Sequence, residues 1–327
     1  MTKLERIIVT SPPVSFLARK TKKIILPGFE GLPLYDVIVF FLQQVRKVGF
    51  NERAAAISFN LLMAIPPLMI FLFTLVPYMP ISKEFNRELL LLVRDITPNQ
   101  NTYKLAEEFI RDFTRPRGGL LSFGFLLIIL FSSNAMIGIM RSFDRSLHTV
   151  HKERRNFFKF RWTAIRLTSL LIIVLIACIL LLIFQGNFLK WLFRIWNIND
   201  PNTKALINSI RWLLIIALFF LSIGLIYRYA PAIKKKWKIA SPGTILATFL
   251  IILVLSLFSF WIRNFGNMNR VYGSIGTVLI LMSLIFISSL VLLIGFELNV
   301  SINTLKMLAE QRGARELEDG QHNVKFH

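Results

Sequence analysis

One acidic residue lies inside the long apolar stretches of this chain. Glu297 stands near the end of the last stretch, two residues before Asn299. A carboxylate is costly at membrane depth, so its presence there predicts a function or a charged partner. The partners available at the same predicted face are Arg53, Arg141 and Arg228. Two interpretations stay open: a carboxylate that pairs or gates a cation-coupled step, and an interfacial carboxylate that anchors a helix end.

Two adjacent prolines, Pro66 and Pro67, stand in the middle of the first apolar stretch. Each removes a backbone donor and clashes with the preceding helical turn, so we predict a kink or a break there. Freed carbonyl groups at membrane depth need protein or water around them, which favours a position beside a transport path. A static kink packed within the bundle is the alternative.

Three further polar residues are candidate substrate contacts. Asn60 and Asn134 lie in apolar stretches, where amides either bond helix to helix or line a site. Tyr272 belongs to the amide-rich turn 264–274, before the last apolar stretch. A helix that starts there offers an anion contact, whereas the alternative is a plain turn with an interfacial tyrosine.

The elements that position these residues are six long apolar stretches, each with very few charges. They cover residues 54–78, 120–140, 164–185, 207–227, 240–262 and 274–299. About 20 apolar residues in a helix cross a hydrocarbon layer of ~30 Å, and backbone at that depth must be helical. The sequence therefore predicts an all-α, polytopic membrane protein, a bundle of six transmembrane helices.

Charge along the chain predicts how this bundle is oriented. Hydrophobic residues make up 54% of the chain, and 39 Lys and Arg stand against 18 Asp and Glu. The short loops 141–166 and 228–238 are densely basic, whereas 186–206 and 263–273 carry few charges. This asymmetry follows the positive-inside rule and predicts cytoplasmic N and C termini. The basic excess is thus explained by topology and anionic lipid headgroups, and no nucleic-acid partner is predicted.

The segments outside the spans divide the rest of the chain. Residues 1–33 predict a basic cytoplasmic arm, and apolar residues at helical spacing in 34–50 predict an N-terminal amphipathic helix. This helix lies either in the membrane interface or against the bundle. The membrane domain covers 34–303, and its outer loop 79–117 predicts two short helices that cover a cavity or simply connect two spans. The polar tail 304–327 is predicted to be cytoplasmic and disordered.

The sequence contains no signature of an enzyme or of a metal site. His148 and His151 are one helical turn apart near Asp144 and Glu153, which leaves a weak metal or nuclease option beside a solvated basic loop. The lone cysteine, Cys178, lies within a span and forms no internal disulfide. No phosphate-binding glycine loop or nucleophile elbow occurs. We predict no catalytic residues, no metal and no cofactor.

Four segments of the chain carry a resemblance to a known family. They are RAAAISFNLLMAIPPL (53–68), SSNAMIGIMRSFDRSL (132–147), YRYAPAIKKKWKIASPG (227–243) and YGSIGTVLILMSLIFISSLVLLIGFELNVSIN (272–303). Together they resemble the YihY/virulence factor BrkB family over nearly the whole membrane portion. The chain departs from the family pattern at Gly243-Thr244, where Gly-Ala is usual, and near 283–284, where a tryptophan is usual. Neither departure affects the expected fold.

The resemblance implies a six-helix protein of the bacterial inner membrane. Members have often been labelled ribonuclease BN, a label that the residues of this chain do not support, because hydrolysis of RNA needs an accessible acid/base set or a carboxylate-rich metal site. Other members have been linked to export of lipopolysaccharide or related lipids. The favoured hypothesis is a transporter or flippase of an anionic lipid or amphiphile, whose headgroup the cytoplasmic arginines and lysines attract.

A second hypothesis is a non-transporting membrane scaffold that anchors partner proteins through its basic face. A wet cavity lined by Arg53, Asn60 and Glu297 would favour transport, whereas a sealed, packed core would favour the scaffold. The sequence leaves open the substrate, the coupling ion, the direction of movement and the oligomeric state, a homo-oligomer included.

Overall fold

The computed structural model describes most of the apolar part of the chain. The described residues are 21–22, 24, 28–47, 49–75, 90, 104, 107–108, 118–147, 153, 155–183, 201–265 and 268–324. They form seven long α-helices: α1 (Leu34–Lys47), α2 (Phe50–Leu75), α3 (Gly118–Ser146), α4 (Phe157–Ile183), α5 (Pro201–Tyr229), α6 (Pro242–Phe265) and α7 (Met268–Val324). The predicted all-helical class is confirmed for this part of the chain.

Four helices within the described residues are long and apolar enough to cross a membrane. The qualifying segments are Phe157–Cys178, Trp212–Tyr229, Pro242–Trp261 and Val278–Gln311. They correspond to the third to sixth predicted spans. The first predicted span, 54–78, overlaps α2 as far as Leu75, and the second, 120–140, lies within α3. A total of six membrane crossings stays a prediction.

The start of α6 shows how the local sequence sets a helix boundary. The Ser241 hydroxyl oxygen accepts a hydrogen bond from the backbone N–H of Thr244 at 3.3 Å. Serine is a preferred N-cap residue because its side chain satisfies an N–H that has no partner within the helix. Pro242 then occupies the first helical position, where its missing N–H costs nothing. The loop 230–240 therefore ends sharply at α6.

Arg155 fastens the loop between α3 and α4 to the end of α5. Its guanidinium donates to the carbonyl oxygens of Ala230 and Pro231 at 3.0 and 2.7 Å. The backbone N–H of Glu153 donates to the carbonyl oxygen of Ala232 at 2.8 Å. The last carbonyls of a helix lack partners within it, and a cation there is favourable. These bonds hold the segment before α4 against the end of α5 at one face of the bundle.

Aromatic side chains form the core where α3, α5 and α7 meet. The rings of Phe143 and Phe296 stack with centroids 3.8 Å apart and planes 3° from parallel. The Tyr227 hydroxyl donates to the carbonyl oxygen of Leu292 at 2.7 Å, so its polar end is satisfied in an apolar setting. Trp237, from the loop before α6, packs against Phe296 with centroids 5.5 Å apart.

Glycines let α6 and α7 approach closely. A Cβ at Gly243 would lie 2.7 Å from the side-chain amide of Asn299 and would clash with the carbonyl oxygen of Gly295. A Cβ at Gly295 would lie 2.7 Å from the Cβ of Ala247. Small residues at such crossings allow the backbone contact on which helix association in a membrane depends.

The N-terminal segment packs on α7. Val37 of α1 is buried in a small cluster with Phe29 and Ile302. Of the two interpretations of the segment 34–50, packing against the bundle is therefore seen, and a position in the membrane interface stays a prediction. The predicted disorder of the tail is wrong as far as Val324, because α7 continues to that residue.

Two predicted segments fall mostly outside the described residues, namely the basic arm 1–33 and the outer loop 79–117. His148 and His151 also lie outside the described residues. What the sequence predicts for these segments and for the two histidines therefore stays a prediction.

The α6–α7 crossing makes a first prediction. Gly243→Ala should lower the free energy of unfolding by about 1–3 kcal/mol, the cost typical of overpacking, because the added methyl group meets Asn299. Gly119→Ala is the matched control, since a Cβ there meets nothing within 4 Å. Thermal unfolding of the purified variants in detergent measures both. Equal unfolding temperatures for the two variants would contradict the close contact.

Candidate functional site

Glu297 forms a buried ion pair with Arg53. The Arg53 Nη1 atom donates to Glu297 Oε1 at 2.7 Å, and the two side chains are 1% and 0% exposed. The Ser146 hydroxyl donates to the same carboxylate oxygen. These residues come from α2, α7 and α3, so one carboxylate joins three helices. Of the three arginines that the sequence offered as partners, the structure selects Arg53.

The turn between α1 and α2 positions Arg53. Gly49 has a φ of +53°, a conformation in which a side chain is strained. The backbone N–H of Arg53 donates to the Gly49 carbonyl oxygen at 3.2 Å, which begins α2. A cation in the first helical turn is disfavoured by the helix dipole. The Glu297 carboxylate offsets this cost as well as the cost of burial.

A polar face of α7 continues beyond the ion pair. Ser301 and Thr304 lie four and seven residues after Glu297, on the same side of the helix, and both are buried. Their hydroxyl oxygens, Glu297 Oε2, and Arg53 Nε and Nη2 have no hydrogen-bond partner among the described residues. Buried polar groups of this kind ordinarily bind ordered water. The ion pair is therefore sealed from bulk solvent and still has unused hydrogen-bonding capacity.

Asn299 joins α7 to the start of α6. Its side-chain oxygen accepts from the backbone N–H of Gly243 at 2.9 Å, and its Nδ2 donates to the Ser241 hydroxyl at 2.8 Å. The Ser241 and Thr244 hydroxyls lie 2.9 Å apart. This arrangement uses both ends of the amide for helix packing.

A second group of candidate residues lines a cavity of about 580 Å³ between α2, α3 and α4, which we name the arginine pocket. Its polar lining consists of Asn60, Asn134, Arg141, Ser142, Arg145 and Arg161. Arg161 Nη1 donates to Asn134 Oδ1 at 2.6 Å, which orients both side chains. Three guanidinium groups within one concave surface make a site suited to carboxylate or phosphate groups, which arginine binds in bidentate fashion.

A second cavity, of about 460 Å³, lies among α2 to α7 and is lined almost entirely by aliphatic side chains. We name it the apolar cavity. It is lined by Leu61, Ala64, Ile65, Leu68, Ser132, Ala135, Met136, Ile139, Thr168, Leu171, Ile172, Leu175, Ile226, Leu255, Leu281, Leu284, Ile285 and Ser288. Such a surface favours hydrocarbon over polar solutes.

One face of α4 borders both cavities. Phe157 and Arg161 line the arginine pocket, whereas Thr168, Ile172 and Leu175 line the apolar cavity. Steps of four, seven, four and three residues keep all five side chains on one side of a helix. The two cavities therefore follow one another along α4, and α2 and α3 contribute to both.

The remaining candidates lie apart from these cavities. Helix α2 is continuous through Pro66 and Pro67, so the predicted break is wrong and a kink remains a prediction. Neither proline lines either cavity. The Arg228 guanidinium lies 5.6 Å from the centre of the Tyr229 ring. Tyr272 belongs to α7, and its side chain is outside the described residues.

Sequence reasoning missed several polar residues at these places. Ser301 and Thr304 carry a usable signal, because they repeat at helical spacing from Glu297. Ser146 and Arg161 carry none, since each is one of several polar residues in the basic region 141–166. No group of three His, Cys, Asp or Glu side chains meets within the described part of the chain.

The chain is similar to a known family and to several known proteins. A family model described as virulence factor BrkB matches residues 41–321. The chain is 28% identical over 262 residues to the "putative ribonuclease-like protein YfkH" of Bacillus subtilis (strain 168), which covers 80% of this chain and 93% of that protein. It is 22% identical over 281 residues to "UPF0761 membrane protein NTHI0384" of Haemophilus influenzae (strain 86-028NP), covering 84% and 96%.

Another relative is longer than this chain. A "UPF0761 membrane protein" of Stenotrophomonas maltophilia (strain R551-3) is 25% identical over 254 residues, which is 77% of this chain and 57% of that protein. The chain thus spans little more than half of that relative. No solved structure matches the chain.

The ion pair makes the second prediction. Glu297→Gln leaves Arg53 buried without a counter-charge and should lower the free energy of unfolding by about 3–5 kcal/mol. Removing both charges with Arg53→Met and Glu297→Met should cost much less than the sum of the single changes. Unfolding in mixed micelles measures each variant.

Glu30→Gln is the control for these variants of Arg53 and Glu297. It breaks the ion pair of Glu30 with Lys306, whose side chains are 49% and 34% exposed, and should cost far less than Glu297→Gln because solvent screens an exposed pair. A Glu297→Gln protein as stable as Glu30→Gln, or strictly additive single changes, would contradict a coupled buried pair.

Proposed function

The chain belongs to the virulence factor BrkB family, and we propose that this integral membrane protein binds an anionic lipid or amphiphile and moves it across the bilayer. The observation that carries the proposal is the order of the two cavities along α4. Guanidinium groups line the first cavity, and aliphatic side chains line the next one. An amphiphile has the same order, an anionic head followed by a hydrocarbon chain.

The arginine pocket suits the headgroup. Arg141 and Arg145 are exposed, so they can meet a headgroup without first breaking a buried contact. Arg161 donates to Asn134, and this contact restricts the orientations of its guanidinium, which lowers the entropic cost of binding. Asn60 adds an amide at the α2 side. These residues recognise charge and hydrogen-bond acceptors, and they do not distinguish one phosphate-bearing headgroup from another.

The Arg53–Glu297 pair has a structural role in this proposal. Both side chains are sealed in the core, and Arg53 neutralises the carboxylate. This argues against catalysis, because a buried, neutralised acid cannot act on a polar polymer such as RNA. The word "ribonuclease-like" in the name of the Bacillus relative is therefore not extended to this chain. We propose neither an enzyme activity nor a nucleic-acid partner.

The sealed pair also favours the second candidate function. A packed core without a solvent path through Arg53 and Glu297 is what a non-transporting scaffold needs. In that case the arginine pocket would hold a lipid permanently, or anchor an acidic segment of a partner protein. Lipid movement separates the two candidates, because a scaffold binds without moving lipid.

Localisation in the bacterial inner membrane with cytoplasmic N and C termini completes the proposal. The basic loops 141–166 and 228–238 then lie inside, as the positive-inside rule requires. The arginine pocket would open toward the cytoplasmic leaflet, where newly made anionic lipids would reach it.

This orientation makes the third prediction. In a Cys178→Ser background, a cysteine at Lys235 should react with a membrane-impermeant maleimide only in inside-out vesicles. A cysteine at Asn199 should react in intact spheroplasts, because 186–206 is the predicted outer loop. Labelling of both positions from the same side would contradict the topology.

Lipid movement is the fourth prediction. Purified protein in liposomes should move fluorescent anionic lipid between leaflets faster than protein-free vesicles do. Arg141→Gln with Arg145→Gln should reduce the rate at least about tenfold, as expected when charge-assisted bonds to the headgroup are lost. Dithionite quenching of the outer leaflet measures the rate.

The matched control is Lys159→Gln with Arg166→Gln. Both residues are exposed on α4 and line neither cavity, so this double variant removes the same charge elsewhere. Equal rates for the two double variants would show that the arginine pocket is not on the path. Bound lipid without any movement above protein-free vesicles would favour the scaffold.

A further inference from the structure

The loop between α5 and α6 forms a separate basic cavity of about 380 Å³. We name it the lysine pocket. It is lined by lysines 234–236, by Lys238 and Lys306, and by the carboxylates Glu30 and Glu310. It contains no residue of the arginine pocket or the apolar cavity. Five lysines against two glutamates leave an excess of positive charge within one concavity.

Glu30 lies among these lysines. Its carboxylate is hydrogen-bonded to the Lys306 ammonium. This contact, together with the charges of Lys235 and Lys238, holds the pKa of the Glu30 carboxyl below its usual value. Glu30 therefore stays ionised at neutral pH, and its stabilising effect is lost only as the pH falls through that lowered pKa. One tethered carboxylate serves as the counter-charge of several lysines.

The ammonium groups, and not the start of α6, supply the binding capacity. The backbone N–H groups of Gly243 and Thr244 already donate to Asn299 and Ser241. A ligand with several oxygen acceptors and more than one negative charge matches these ammonium groups.

We propose that the lysine pocket binds a phosphate-bearing anion, which displaces the Glu30 carboxylate from Lys306. A singly charged, partly exposed carboxylate competes only weakly with a dianion for the same lysine. Its departure breaks the Lys306 link between α7 and the segment that leads into α1. Binding would thus release one of the contacts that hold the N-terminal segment on α7. This proposal does not depend on lipid movement.

The phosphate has two sources, a soluble diphosphate and a phospholipid headgroup. In the first arm, inorganic pyrophosphate is titrated by calorimetry into the full-length protein in phosphatidylcholine nanodiscs. In the second arm, phosphatidic acid is added to the nanodiscs, and the thermal unfolding temperature is measured. A response in either arm supports the site and identifies the source.

Charge variants locate the response. Lys306→Gln and Lys235→Gln should each weaken binding about five- to tenfold, as expected for loss of a charge-assisted contact. Glu30→Gln should tighten it about threefold, because the competing carboxylate is gone.

Lys159→Gln is the matched control, since this exposed lysine lies outside the lysine pocket, and it should bind as the unmodified protein does. No response in either arm would overturn the site. Equal weakening by Lys306→Gln and Lys159→Gln would also overturn it. Unchanged affinity in Glu30→Gln would overturn the displacement of Glu30.

Discussion

The buried ion pair between Arg53 and Glu297 is the constraint on which the bundle depends. In a bilayer the hydrophobic effect does not drive helices together, so packing and polar contacts must do so. This pair links the start of α2 to α7, and the Ser146 hydroxyl brings the end of α3 to the same oxygen. Burying two charges is costly, and removing either one leaves the other uncompensated. The main effect of the pair is therefore to specify one arrangement of α2, α3 and α7, and its net contribution to the free energy of folding is small.

The rest of the core follows from that arrangement. With α7 fixed, Phe296 stacks on Phe143 of α3, and the Tyr227 hydroxyl reaches the carbonyl oxygen of Leu292. One turn beyond Phe296, Asn299 bonds the start of α6. A single segment of α7 thus contacts α2, α3, α5 and α6. It can do so because glycine at the α6 crossing lets the two backbones meet.

The sequence predicted the helices well and the site only in part. Apolar length and composition suffice for helices in a membrane, because no other conformation satisfies the backbone there. Which arginine pairs with Glu297 depends on how three helices pack, and the spacing of the residues along the chain does not reveal this. Asn60, Asn134 and Arg141 were each predicted, yet their convergence in one pocket is a tertiary property. The polar tail was predicted as disordered because composition alone does not reveal that α7 continues through it.

The distribution of polar contacts indicates which helices can separate. Helices α2, α3, α6 and α7 are joined by buried charged or amide groups. Between α4 and α3 the polar contacts among the described residues are exposed or long: Arg161 with Asn134, which is exposed, and a 3.5 Å bond from the Thr168 hydroxyl to the Ser132 carbonyl oxygen. The arginine pocket and the apolar cavity follow one another along this same α4 face. Joining the two cavities by moving α4 would therefore break exposed or long hydrogen bonds and leave the buried ion pair intact. Movement of α2 against α7 would instead separate two buried charges, which is the costlier change.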